Sequence, residues 1–270
     1  MTTISVIIPA KNEEQNIANV LRELPSTVTE VVLVDGSSTD KTIEVAVHTR
    51  PDIVVVRERR PGKGSALRAG FNAATSDIIV MIDADGSMIA DEIARFVSML
   101  EAGFEFVKGS RFMTGGSSED ITFVRGAGHR VILRSANTLF GTHFTDLCYG
   151  YCAFWREHLD VLALDAEGFE IETQLVLRAV RTGLRVTEVP STERQRTTGV
   201  SNLRTFRDGV RVMRTMASER ARPGLVAPRQ APSMPAGNPA LVIDLPRRNS
   251  RESALAATAA GGRSGHTESH

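Results

Sequence analysis

The sequence predicts a single α/β domain built on a mostly parallel sheet flanked by helices. Two observations carry that prediction. Short β-branched runs alternate with longer segments of helical apolar spacing through the N-terminal half, the pattern of repeated βαβ units. Each strand-like run also ends in polar residues, often Asp or Gly, and right-handed crossovers bring such strand ends to one edge of a sheet, where ligands bind.

Strands are expected at Ser5 to Ile8, Glu30 to Val34, Ile53 to Val56, Asp77 to Ile82 and Glu105 to Lys108. Between them, Glu13 to Leu24, Asp40 to His48, Lys63 to Ala74 and Ala90 to Leu100 carry apolar residues at helical intervals. Asp40 is placed to cap its helix. The pattern then loosens, with a basic helix from Phe123 through Asn137, a strand near Tyr149 to Phe154, a helix at Ile171 to Arg181 and a strand at Arg185 to Val189. The stretch 201–220 has Leu203, Phe206, Val210, Met213 and Met216 at helical spacing among arginines, as a helix packed on the domain or a basic amphipathic helix at an anionic membrane surface would. These elements make a catalytic domain of residues 1–221. Residues 222–270, dominated by Pro, Gly, Ala, Ser and Arg, lack the apolar surface that offsets ordering entropy and are expected to form a disordered tail.

Composition narrows the function. Lys+Arg and Asp+Glu both total 32, so there is none of the basic excess that general nucleic-acid binding requires. No run of about 18 apolar residues is present to span a bilayer, and the N-terminus lacks a signal-peptide pattern. Cys148 and Cys152 have no second pair to complete a zinc site and read as reduced thiols. A cytoplasmic site of action is expected, with peripheral membrane contact through 201–220.

The chemistry concentrates where strands end. IIVMIDADGS closes an apolar strand with Asp83 and Asp85, two apart and so able to reach one divalent cation, Mg²⁺ or Mn²⁺. Asp and Gly are equally common in solvated turns, so the pair alone is weak. VIIPAKNEE adds Pro9, Ala10, Asn12, Glu13 and Glu14; VLVDGSSTD adds Asp35 and Asp40; RPGKGSALRAGF places Gly62, Lys63 and Gly64 before a helix, where a cation and free N–H groups suit an anion.

In this order, the motifs closely resemble those of the family 2 glycosyltransferases with the GT-A fold, in the dolichol-phosphate mannosyltransferase-like and polyprenyl-phosphate glycosyltransferase branch, over roughly residues 4 to 215. The resemblance implies inverting transfer from a UDP- or GDP-sugar. It implies a nucleoside pocket lined by Pro9, Glu13 and Asp35, with Ala10 and Asn12 beside them, and Lys63 near base and ribose. Asp83, Ala84 and Asp85 match the metal and diphosphate motif. KGSRF resembles the family's SR element through Arg111, and FTDLCYGYCAF resembles its D-x-x-x-G-(Phe/Tyr) element through Asp146, Gly150 and Tyr151. GFEIETQL matches its acceptor-side element with Glu170 and Glu172, and EVPSTERQRTTGVSN matches EVP followed by R-x-x-G-x-S-K through Glu188, Pro190, Arg196, Gly199 and Ser201. Three positions depart: Gly36 replaces a second acid, Gly86 and Ser87 follow D-x-D where Leu and Gln are usual, and Asn202 stands for the lysine.

Two acceptor classes follow. A polyprenyl or dolichyl phosphate arrives ionised and needs cations, Arg111 and Arg196 with Arg130 or Arg134, and no strong base. A hydroxyl on a soluble small molecule or glycan, as in a glucosyl-phosphoglycerate synthase-like activity, would need Glu170 or Glu172 as general base. Both glutamates also fit simple charge compensation at a helix start.

Overall fold

The computed structural model describes residues 2–119, 121, 123–196, 198 and 205–222. All fall within one compact unit, Met1–Ala231. The expected tail lies outside the described residues except for Arg222.

A seven-stranded sheet forms the centre, in the order β3 (Val54–Arg57), β2 (Glu30–Asp35), β1 (Ile4–Ala10), β4 (Ile78–Met81), β7 (Cys152–Trp155), β5 (Phe106–Ser110), β8 (Val186–Pro190). Only β7 runs antiparallel, pairing with both β4 and β5. Two short strands, β6 (Ser117–Ser118) and β9 (Thr192–Glu193), pair separately; the sequence reading did not include them.

Period-2 alternation divides the strand side chains between two apolar layers. Val6, Ile8, Leu33, Val80 and Ala153 join the layer under α1 (Ile17–Glu23), α2 (Thr42–Thr49) and α4 (Ile93–Glu101). Ile7, Val32, Val34, Met81 and Phe154 join the opposite layer, with α3 (Lys63–Ala73), α5 (Phe123–Phe140) and α7 (Ile171–Arg181). One-turn α6 (Leu159–Leu162) and α8 (Thr205–Ala221) complete the second layer. In α4, Ile93, Phe96 and Leu100 point inward at the spacing of one helix face, and Phe96 stacks on Tyr151 at 4.3 Å.

Three expectations need correction. The first helix starts at Ile17 rather than Glu13; Asn12 adopts a positive φ of 58°, and the amides of Glu13 and Glu14 donate to Thr42 Oγ1 and Asp40 Oδ2 of the segment after β2. On α8 the inward stripe is Asp208, Val212, Met216 and Glu219; Val210 and Met213, expected on the apolar stripe, are exposed. The reason is ionic as well as apolar: buried Glu219 accepts from Arg178 and Arg181 of α7, at 2.9 and 2.6 Å, which fixes the helix rotation. Arg222, assigned to the tail, instead caps this cluster, with Nη2 2.6 Å from Asp165.

Candidate active site

The parallel strands β1, β2 and β4 point their carboxyl ends at a cleft of about 310 Å³. Of the residues singled out from sequence, Pro9, Ala10, Glu13, Lys63, Asp83, Ala84, Asp85 and Arg196 line it. Gly62, expected with Lys63 to face an anion, lines it as well, and so do Lys11, Gly36, Ala66 and Phe169, which were not proposed as site residues. Phe169 lies inside the GFE element and Lys11 between Ala10 and Asn12, so position within the motifs was the available signal.

Each acid of the D-x-D pair faces an internal cation. Lys63 Nζ lies 2.6 Å from Asp83 Oδ1 and 2.7 Å from Glu172 Oε1, bridging the end of β4 to the start of α7. Arg196 Nη2 lies 2.7 Å from Asp85 Oδ2, and its Nη1 lies 3.2 Å from Glu13 Oε1. Asp85 Oδ1 also accepts the Ser87 amide at 3.0 Å. Burial raises the pKa of the Asp83 carboxyl, Asp85 and Glu172 raise it further, and Lys63 offsets part of the rise. Burial likewise lifts Glu13, against hydrogen bonding from Asn16 and the charge of Arg196. Burial disfavours the charge on Lys63, yet Asp83 and Glu172 outweigh it and hold the ammonium above the ordinary lysine range.

The glycines flanking Lys63 serve a close approach. A Cβ at Gly62, where φ is 110°, would meet the Glu167 carbonyl at 2.1 Å, and one at Gly64 would meet the Ala166 carbonyl at 2.4 Å. The amide of Ser65 donates to Glu167 O. The helix start expected to cradle an anion therefore packs against the loop before α7.

The remaining candidates sit apart from the cleft lining. Asn12 ties the first loop to the second, accepting the Thr39 amide at 2.8 Å. Asp35 is buried and accepts the Ser38 amide at 3.2 Å. Glu170 turns one carboxylate oxygen to the Gly168 amide at 3.0 Å. Arg111 is bound by carboxylates: Asp146 takes its Nε at 2.7 Å and Nη2 at 3.1 Å, and Glu193 takes Nη1. Asp146 is fully buried, with His129 Nε2 3.0 Å from its second oxygen. Burial would raise the Asp146 pKa, but Lys108, His129 and Arg111 together hold it far below the usual carboxylate range. Arg130 and Arg134 are exposed on α5. Gly199, Ser201 and Asn202 lie outside the described residues.

Fold and cleft together define an α/β protein with paired carboxylates and cations gathered at the carboxyl edge of parallel strands. The chain belongs to glycosyl transferase family 2, whose sequence model matches residues 5–162, and it is a glycosyltransferase with a mostly parallel sheet of the GT-A type. It is 33% identical over 215 residues to the polyprenol monophosphomannose synthase of Mycolicibacterium smegmatis, covering 73% of this chain and 80% of that one. It is 32% identical over 211 residues to glycosyltransferase AglJ of Haloferax volcanii, covering 76% and 68%. Its fold matches glucosyl-3-phosphoglycerate synthase from Mycobacterium tuberculosis, solved with Mn²⁺, UDP and phosphoglyceric acid, with a TM-score of 0.65, 25% identity, and coverage of 82% and 80%.

Proposed function

We propose that the protein is a metal-dependent, inverting glycosyltransferase that moves a sugar from a UDP- or GDP-sugar to a polyprenyl or dolichyl phosphate. The observation that carries this reading is the meeting of Lys63, Asp83, Asp85 and Arg196 in one cleft at the end of β4. The polyprenol-phosphate synthase among the relatives supports the acceptor class.

Asp83 and Asp85 fit a hard divalent cation. Both line the cleft as carboxylates two residues apart at the end of β4, the hard oxygen donors such an ion prefers, and diphosphate and water would complete its shell. Bound there, Mg²⁺ or Mn²⁺ would neutralise charge on the departing diphosphate. Pro9, Ala10 and Glu13 form the wall for the nucleoside, and Lys63 and Arg196 supply positive charge beside the diphosphate. Glu172 is held in an ion pair with Lys63, an arrangement that suits an acceptor already ionised.

A second reading, transfer to a hydroxyl-bearing soluble acceptor, draws on the likeness to glucosyl-3-phosphoglycerate synthase. We place the enzyme in the cytoplasm, peripheral to the membrane. Among the described residues no helix is long and apolar enough to cross a bilayer, and α8 exposes Val210 and Met213 beside Arg207 and Arg214. The catalytic domain is residues 1–221, anchored at its end by Arg222.

The test incubates the protein with a panel of UDP- and GDP-sugars, with Mn²⁺ or a chelator, and with polyprenyl phosphate or soluble extract, followed by mass measurement. A metal-dependent glycosyl polyprenyl phosphate supports the first reading. A product formed only from the soluble extract supports the second.

A further inference from the structure

Lys63 is the one described cation that joins the D-x-D pair to α7, and its setting is tight on every side. Its side chain is 11% exposed, as is that of Glu172. A Cβ at Gly150 would lie 2.9 Å from Glu172 Oε1 and 3.2 Å from Lys63 Nζ, so the backbone of that residue passes close against the bridge. The Phe169 ring, 5.8 Å from Nζ, closes another side. An ammonium this enclosed has few places to go when Asp83 gains another cation. Glu172 is the nearest alternative, already in contact.

We propose that Lys63 is a positioning residue that occupies Asp83 until metal arrives and is then received by Glu172, so that occupancy of the donor side is transmitted to the first turn of α7. The proposal rests on the reading of Asp83 and Asp85 as metal ligands. As the ammonium leaves Asp83, its attraction to Glu172 remains, so the move costs less than release with no second carboxylate in contact. Glu172 therefore eases the departure of Lys63 from Asp83. Metal binding at Asp83 in turn leaves Glu172 with the whole of the lysine charge, fixing that side chain where α7 begins.

The test follows Mn²⁺ binding, without nucleotide, by the loss of the free-ion electron paramagnetic resonance signal. Lys63→Met removes the competitor and should tighten Mn²⁺ binding by roughly tenfold. Glu172→Gln leaves Lys63 to Asp83 alone and should weaken it by a few-fold. In the double variant the Glu172→Gln effect should disappear, since Glu172 acts through Lys63. A residue that only stabilised the fold would weaken binding in every variant, and a Glu172 acting as a distant negative charge would weaken it equally with or without Lys63. Either pattern overturns the proposal. Should Lys63→Met not fold, Lys63→Gln takes its place in the same cycle. Asp85→Ala separates the premise from the inference. Mn²⁺ binding in the presence of UDP that survives Asp85→Ala overturns the metal reading. Binding that Asp85→Ala abolishes but Lys63→Met leaves unchanged overturns the role of Lys63 alone.

Discussion

Arg196, from the segment after β9, meets Asp85, from the loop after β4, at 2.7 Å, and shares its guanidinium with Glu13 from the loop after β1. Three loops far apart in sequence are thus joined by one planar cation. Its planar fork gives each carboxylate a separate nitrogen, Nη2 to Asp85 and Nη1 to Glu13, in one fixed plane.

Asp85→Ala should reduce transfer by about a thousandfold or more, and Asp83→Ala nearly as much, with the thermal unfolding midpoint little changed. Each change removes a charge at the ligand edge and no apolar volume from the core. Near-normal turnover of a folded Asp85→Ala protein at saturating Mn²⁺ would remove the metal assignment.

The acceptor class is read from a ranking of variants. With a polyprenyl phosphate, Arg196→Lys should damage transfer more than Glu170→Gln or Glu172→Gln, because the phosphate oxygen arrives ionised. A Glu→Gln loss on the order of a hundredfold, exceeding that of Arg196→Lys, would instead mark general-base activation of a hydroxyl.

Asp146→Ala should cost about 3–5 kcal/mol of stability, since it leaves the enclosed Arg111 guanidinium without its two-pronged partner. The same carboxylate sets a pH dependence. Its folded-state pKa lies below the ordinary value of about 3.9, so its contribution is complete above roughly pH 5 and is lost as pH falls further. Urea unfolding from pH 7 down to about pH 2 should show an acid-side decline that is shallower in the variant than in the wild type.

Glu219→Ala should also destabilise by about 3–5 kcal/mol, because Arg178 and Arg181 lose the buried carboxylate they share. Faster amide exchange in α8 than in α4 would show where the loss falls. Deleting residues 223–270 should leave folding and transfer unchanged. The cut is placed after Arg222 because that residue holds Asp165.

Much of the candidate site was legible because its residues are local to strand ends. The alternation of apolar runs and amphipathic segments placed β1 to β5 and α2 to α4 near their observed bounds, since each strand and helix must bury a face. Asp83 and Asp85 were visible as two acids closing such a run. Less legible were the segment before α1, whose amides at Glu13 and Glu14 are taken by side chains of a distant segment, and the rotation of α8, where Glu219 turns inward against the expected apolar stripe. Arg111 was visible as a cation after β5, yet its partners Asp146 and Glu193 come from distant segments.

By itself, the sequence determined the α/β class, the gathering of polar residues at the strand ends and the acidic pair at the end of β4, because these follow from periodicity and short-range spacing. Tertiary structure alone decided that β7 enters antiparallel between β4 and β5, that Arg111 is consumed by Asp146 and Glu193, and that Lys63 and Arg196 each bridge two carboxylates. Those outcomes depend on which distant groups can neutralise one another once burial removes water. No local pattern encodes that pairing, because the energy of a buried charge is set by whichever partner the fold brings within reach.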